Sequence, residues 1–563
     1  MSFSAAIERT LFKDKDGGGI VVAVGAHTPI IKHRFLSFLI WQSIQSTFIL
    51  LLFKTLFLSP FTQKPFIPNF FSLITFLSFH FSLLLFSISI FFLCSPHPLP
   101  FASPFEISLS FLRLIFVSGG VGDQNLLRRK VRVSLSFVLF VTACSVVGAV
   151  SLTCVCWGCD AYYVNSIGVL GKLGFRGFVI GLLYGLHYVY KQRWVLQFPI
   201  IQRPPFFSFK MGLPVAVGQA LKFSVIGYLS SGVLAFFLPI EYKGQGSVGN
   251  FISEQMSFYI GSFVVILCWE LNHHLHQVLH TKRFVFAPPK GSAAAETNPS
   301  ELLLDTLEES MPKSLLQYLA FLDLCMVCES NVDTWRRAAF FEETGETYKR
   351  VIAACLGPLE QFTQKLAEDL QSSSPENSLQ LSYQLSSPKE RLAVSKLYES
   401  FYDSQLCAWC ARIVASLTAR SRKEDRFGVA QLSGSNAAAI STLLSSLLAV
   451  ETLLGKKTNI QSANSLMGPA GIRWATVNTG RSESSSGAMI RIRGSPLYAK
   501  AYSLADILRT SIYCIVSAFH NEMLNSSNSG LLEKDWIISG KPLYGPRELL
   551  VQKLRLFLDF QAS

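Results

Sequence analysis

Apolar residues fill six long stretches in the first half of the chain, at about Phe35–Leu58, Phe70–Phe92, Val133–Cys156, Ile167–Tyr190, Leu221–Ile240 and Met256–Leu275. Each reaches the roughly 20 residues that a helix needs to cross a hydrocarbon core. Only a helix satisfies every backbone N–H and C=O within segments this isolated, so the pattern predicts six transmembrane helices. Beyond about residue 300 the pattern changes. Apolar positions there recur at spacings of three and four, with charged residues between them. That periodicity predicts amphipathic helices over Leu302–Val327, Tyr348–Leu370, Glu390–Leu417, Ala437–Leu454, Ala499–Leu524 and Arg547–Phe560. Pro546 sits at a favourable helix start. Ile472–Val477 and Ala488–Ile492 alternate enough to predict a short hairpin. The Ser-rich runs Ser372–Ser387 and Gly480–Gly487 are expected to be mobile.

The expected fold is all-α: a six-span transmembrane bundle followed by a mainly α-helical domain facing the cytosol or pore. The expected organisation is an N-terminal segment 1–34, a membrane domain 35–280, a linker 281–300 and a soluble domain 301–563. The break in composition is Ala287-Pro288-Pro289-Lys290-Gly291-Ser292.

Charge orients the spans. Lys and Arg gather before the first span (Arg9, Lys13, Lys15, Lys32, Arg34) and between the second and third (Arg113, Arg128, Arg129, Lys130, Arg132). They gather again between the fourth and fifth (Lys191, Arg193, Arg203, Lys210) and after the sixth (Lys282, Arg283, Lys290). The three opposite loops hold only Lys64 and Lys243. The excess of positive charge on one side predicts both termini in the cytosol. Residues 1–290 carry 23 Lys/Arg against 9 Asp/Glu, whereas the remainder carries 27 against 28. The basic balance therefore belongs to membrane-flanking loops, where it favours anionic lipid, and no direct nucleic-acid contact is expected. No cleavable signal is read at the N-terminus, because the apolar run Ile20–Ala26 is short and follows Asp14 and Asp16.

Within the fourth span Gly177, Gly181 and Gly185 form consecutive Gly-x-x-x-Gly steps, which lets another helix approach closely. Lys172 and Arg176 near the opposite end of that span are expected to snorkel. Phe105–Val117 is too short to span, and reads either as an interfacial helix or as a loop helix packed on the bundle.

Candidate chemistry is sparse. Glu270, His273, His274, His276 and His280 cluster at the end of span six, but one helix cannot supply a di-metal site, and a polar helix end is the expected role. Three Cys-x-x-Cys pairs occur: Cys156/Cys159, Cys325/Cys328 and Cys407/Cys410. The last two fall inside helical patterns without the turn residues of a zinc knuckle. Gly455-Lys456-Lys457-Thr458 lacks the upstream glycine of a phosphate-binding loop. No catalytic, cofactor or metal residues are assigned.

Two stretches carry a family resemblance. Trp194-Val195-Leu196-Gln197-Phe198-Pro199-Ile200-Ile201-Gln202 joins spans four and five. Ser314–Leu366 contains Leu319-Ala320-Phe321-Leu322-Asp323-Leu324, Trp335-Arg336-Arg337, Phe340-Phe341, Tyr348, Cys355-Leu356 and Gln361-Phe362. These resemble the transmembrane nucleoporins of the nuclear division cycle family, the plant-like branch most of all. The resemblance implies a structural, non-enzymatic component of the nuclear pore's membrane ring, at the nuclear envelope. It implies a role in anchoring the scaffold and inserting pores, with an indirect part in protein and mRNA transport. The implied partners are the envelope bilayer and other nucleoporins, including the Aladin propeller. Trp335, Phe340 and Phe341 are the candidate partner-binding residues, with domain core as the alternative for each. The competing readings are an endoplasmic-reticulum enzyme or transporter using the His-rich end of span six, and a membrane-shaping protein acting through Phe105–Val117.

Overall fold

The computed structural model describes residues 24–58, 70–99, 121–156, 166–199, 202–235, 248–288, 291–372, 397–455 and 496–562. The chain divides into two units, Met1–Lys282 and Arg283–Ser563. Both are helical, and the one strand-like feature among the described residues is an isolated bridge between Ser95 and Val195. The expected hairpin at 472–492, the Phe105–Val117 segment, residues 373–387 and Cys159 lie outside the described residues.

The first unit holds six long helices among its described residues: α1 Val24–Phe53, α2 Phe70–Leu93, α3 Val121–Cys156, α4 Ser166–Tyr190, α5 Pro205–Ala235 and α6 Val248–His280. A π-helical turn, Lys54–Leu58, continues α1. Their polarity is inverted relative to a water-soluble bundle. Phe48, Leu77, Leu139, Val215 and Leu229 point outward. Inside, Ser82 and Ser151 share a 2.7 Å hydrogen bond, and the Ser87 hydroxyl donates to Gln42 at 2.5 Å. An apolar exterior over hydrogen-bonded interior hydroxyls is the arrangement lipid favours. Four of the six carry a stretch apolar enough to cross a membrane: Ile30–Leu56, Ser72–Leu93, Val131–Cys156 and Pro205–Leu234. Helices α4 and α6 do not, being diluted by glycines and by Arg176, Glu270 and Asn272. Helix α6 touches all five others. A helix surrounded by protein has less need of an apolar surface.

Helices of this unit run alternately up and down. At one end, Arg34 from α1 donates to the carbonyls of Leu279 (3.1 Å), His280 (2.9 Å) and Lys282 (2.6 Å), closing the C-terminus of α6. Ser95, just past α2, exchanges backbone hydrogen bonds with Trp194 and Leu196 of the segment after α4. Helix α5 begins at Pro205, well before the expected Leu221. Its aromatic and polar first turns hid it in a hydropathy reading, and Pro205 supplies the preset φ of a helix start.

The second unit contains α7 Glu301–Glu309, α8 Leu315–Glu329, α9 Thr334–Ala338, α10 Glu346–Ser372, α11 Ser404–Glu424, α12 Ser435–Gly455, α13 Pro496–Ala518, α14 His520–Asn528 and α15 Arg547–Ala562. The helix expected over Leu302–Val327 is two helices. Pro312 lies in the break, and Ser314 opens α8 by accepting from the Gln317 N–H at 3.2 Å while Gln317 accepts from the Lys313 N–H at 2.7 Å. The helix expected from Ala499 to Leu524 likewise breaks at Phe519. Helix α12 is apolar enough to span a membrane, yet it is buried among its neighbours as the core of this unit.

Candidate functional site

The segment after α4 is stitched to the last turns of α6. Trp194, Leu196 and Phe198 are buried, and the Trp194 ring lies 5.4 Å from Phe137. Beside them Arg193 donates through both terminal nitrogens to Glu270, each at 2.6 Å. Glu270 is almost fully enclosed, so the two-pronged pair supplies the counter-charge without which a buried carboxylate is costly. The Arg193 guanidinium also lies over the rings of Tyr184 and Tyr188. Gln277 completes the seam: its carbonyl accepts from the Gln197 N–H at 3.1 Å, and its amide donates to Val195 O at 3.3 Å.

The His cluster is packed inside this seam, not displayed as a polar helix end. The Tyr188 hydroxyl is 3.1 Å from His273 Nδ1. His274 stacks on Phe209 with its Nε2 3.2 Å from that residue's carbonyl oxygen. His276 and His280 stack on each other at 4.0 Å beneath Phe38. No group of three or more His, Cys, Asp or Glu with metal-binding geometry occurs among the described residues.

Between this seam and the start of α5 lies a cavity of about 990 Å³. Lys191, Arg193, Arg203 and Lys282 line it, and Glu270 is its one carboxylate among the described residues.

The fourth-span glycines meet α3. A Cβ on Gly177 would run into the Gly148 carbonyl oxygen, and one on Gly181 into that of Cys144. At Gly185 it would sit 3.2 Å from the Cys144 and Val141 carbons. Arg176, expected to snorkel, is instead buried, donating to Gln255 at 3.1 Å with its guanidinium 4.4 Å from the Phe258 ring.

In the second unit the motif residues converge on a buried ion pair. Asp323 on α8 accepts from Arg336 Nη2 at 2.8 Å, from Arg283 Nε at 2.7 Å and from the Phe286 N–H at 2.9 Å. Arg337 turns the other way. It donates to the Val327 carbonyl at 3.1 Å, capping α8, and to both oxygens of Glu424 at 2.7 and 2.8 Å. Burial opposes the Glu424 charge, but Arg337 and Arg420 hold its carboxyl below the ordinary range. Phe340 and Phe341 are buried, Phe341 beside Tyr348, so neither offers a surface to a partner; Trp335 is half-buried. The Cys325/Cys328 and Cys407/Cys410 pairs are also core. Burial pushes the Cys325 thiol up to about 12.

Asp323 and Arg336 stand in the motifs and Arg193 in the charge count, but no pattern in the sequence assigned any of them a role at a site. The available signal was an acidic residue inside an apolar run, Leu322-Asp323-Leu324, with two arginines a dozen residues on.

Residues 172–400 match the family described as nucleoporin protein Ndc1-Nup. Over that stretch, which is less than half of the chain, the sequence is similar to the Ndc1-Nup nucleoporins. The match begins in α4 and runs past α10, so it includes the Arg193–Glu270 seam, the glycine face and the Asp323–Arg336 pair. No curated protein matches the chain.

Proposed function

We propose that this protein is a nucleoporin serving as a structural anchor in the nuclear pore, with α1 to α6 as six membrane spans and both termini on the cytosolic or pore side. The observation that carries this reading is the inverted bundle: apolar side chains outward, hydrogen-bonded hydroxyls inward, and basic residues at the end where Arg34 meets the C-terminus of α6. The positive charge of that end favours the cytosolic leaflet. The second unit, nearly neutral, would dock soluble nucleoporins, the Aladin propeller among them, and so tie the scaffold to the envelope during pore assembly. Its part in protein and mRNA transport would be indirect. The glycine face is read as an intramolecular packing surface between α3 and α4. Residues 35–280 form the membrane domain in this reading.

The test is localisation with sidedness. A fluorescent copy is expected in nuclear-rim puncta. When only the plasma membrane is permeabilised, protease should remove a tag at either terminus and spare one inserted in Glu241–Phe251. A protected C-terminus would end the six-span reading, and uniform reticular fluorescence would end the pore reading.

A further inference from the structure

We propose that the cavity at the basic end of the first unit binds the phosphate headgroup of an acidic phospholipid; this rests on the reading that the outer face of α5 lies in lipid. Three of its four cations have no carboxylate partner among the described residues. Lys191, Arg203 and Lys282 are exposed; Lys191 lies over the Tyr190 ring and Arg203 donates to Met211 Sδ, but none forms an ion pair there. The fourth, Arg193, is held by Glu270, and that pairing also cancels the cavity's carboxylate. An anion entering the cavity therefore meets net positive charge with no competing acid. Arg and Lys donors suit phosphate oxygens, which accept several charge-assisted hydrogen bonds at once.

The cavity is not polar throughout, and this separates a lipid from a free anion. Met211 and Val215 line it and are also exposed on the outside of α5. With Phe207 they form a stripe at four-residue spacing, and past the exposed Lys222 on the same face Ile226, Leu229 and Val233 continue the apolar exterior along the helix. A molecule with its head at Lys191, Arg203 and Lys282 can lay a hydrocarbon chain along Met211 and Val215. Inorganic phosphate would leave that wall unused. At about 990 Å³ the cavity is large enough for a glycerophosphate head. The seam of Gln277 and Arg193 holds the segment that carries Lys191 on α6, so the site is preformed.

The experiment uses the full chain purified in neutral detergent. Thermal unfolding and native mass spectrometry are measured with dioctanoyl phosphatidic acid, dioctanoyl phosphatidylcholine and inorganic phosphate at equal concentration. Phosphatidic acid is expected to bind at one equivalent and raise the melting temperature, and the other two to do neither. The triple variant Lys191→Gln, Arg203→Gln, Lys282→Gln should melt as the parent without lipid but bind phosphatidic acid roughly 100-fold more weakly, about fivefold per lost cation. Lys222→Gln, exposed on α5 outside the cavity, should bind normally. Undiminished binding by the triple variant overturns the proposal. So does an equal response to inorganic phosphate, or equal weakening by Lys222→Gln. Flotation with phosphatidylcholine vesicles separates the two readings. A chain that floats but shows no headgroup selectivity loses only the site, and one that does not float loses the membrane reading as well.

Discussion

Asp323 accepts four hydrogen bonds: two from Arg336, one from Arg283 and one from the Phe286 backbone. Arg336 is as enclosed as Asp323, whereas Arg283 reaches solvent and has Asp333 as a second partner at 2.8 Å. The two arginines therefore answer differently to losing the carboxylate. Asp323→Asn leaves a buried guanidinium without a counter-charge, which typically costs about 3–5 kcal/mol. Asp333→Asn removes only a solvent-touched partner, worth about 1 kcal/mol or less. Denaturant titration of the two variants should separate them by that margin. Equal midpoints would mean that the Asp323 network is not what holds α8 to α9. At this scale the sequence showed the residue types but not their partners. Asp323 and Arg336 are 13 apart on different helices, and only the turn at Ser330–Asp333 folds one onto the other.

Helices α3 and α4 approach until backbone meets backbone. The Gly-x-x-x-Gly steps on α4 were legible because a small-residue stripe is a pattern within one helix. Their partner Gly148 on α3 was not, since it stands far from Gly122, the other glycine of that 36-residue helix, and two so distant glycines carry no pattern. Gly181→Ile must push its side chain into the Cys144 carbonyl, and Gly148→Leu into that of Gly177. Separating close-packed helices costs about 1–3 kcal/mol or more. Both variants should lower the yield of monodisperse protein in fluorescence-detected size exclusion and reduce its melting temperature. Gly218→Ile on α5, where nothing lies within 4 Å, is the control and should be tolerated. If all three behave alike, the glycine face is not an interface. The helix boundaries divide similarly. Periodicity placed α10, α12 and α15 well, while α5 and the α7–α8 break were misplaced because Pro205 and Pro312 act through backbone geometry that hydropathy does not weigh.

The two units should separate, but not at the residue that composition suggests. The break around Ala287–Ser292 points to a soluble fragment 300–563. Arg283 and the fully enclosed Phe286 lie before that cut and already bond to Asp323. A fragment 283–563 should therefore be soluble, helical and more resistant to denaturant than 300–563, by about 1–3 kcal/mol for the lost charged and backbone hydrogen bonds. Residues 1–282 should reach the nuclear envelope alone, and 283–563 should capture a soluble nucleoporin without them. Indistinguishable stability of the two fragments would make the 283–286 stretch a mere linker. A folded 283–563 that captures no nucleoporin, while 1–282 does, would move the docking role to the membrane unit.

The sequence by itself determined the all-α class, the apolar first half and the one-sided basic charge, because period, length and charge are properties of residues in order, and its motifs carried the family resemblance. It could not decide which polar groups are enclosed. The tertiary structure decided that Arg176 turns inward, that Phe340 and Phe341 are core and that the histidines of α6 are packed rather than displayed. It also decided that Arg193 closes on Glu270, and so leaves a basic cavity beside them. The partners of Arg193 and Arg176 lie 77 and 79 positions away in the chain, and no local pattern encodes such neighbours.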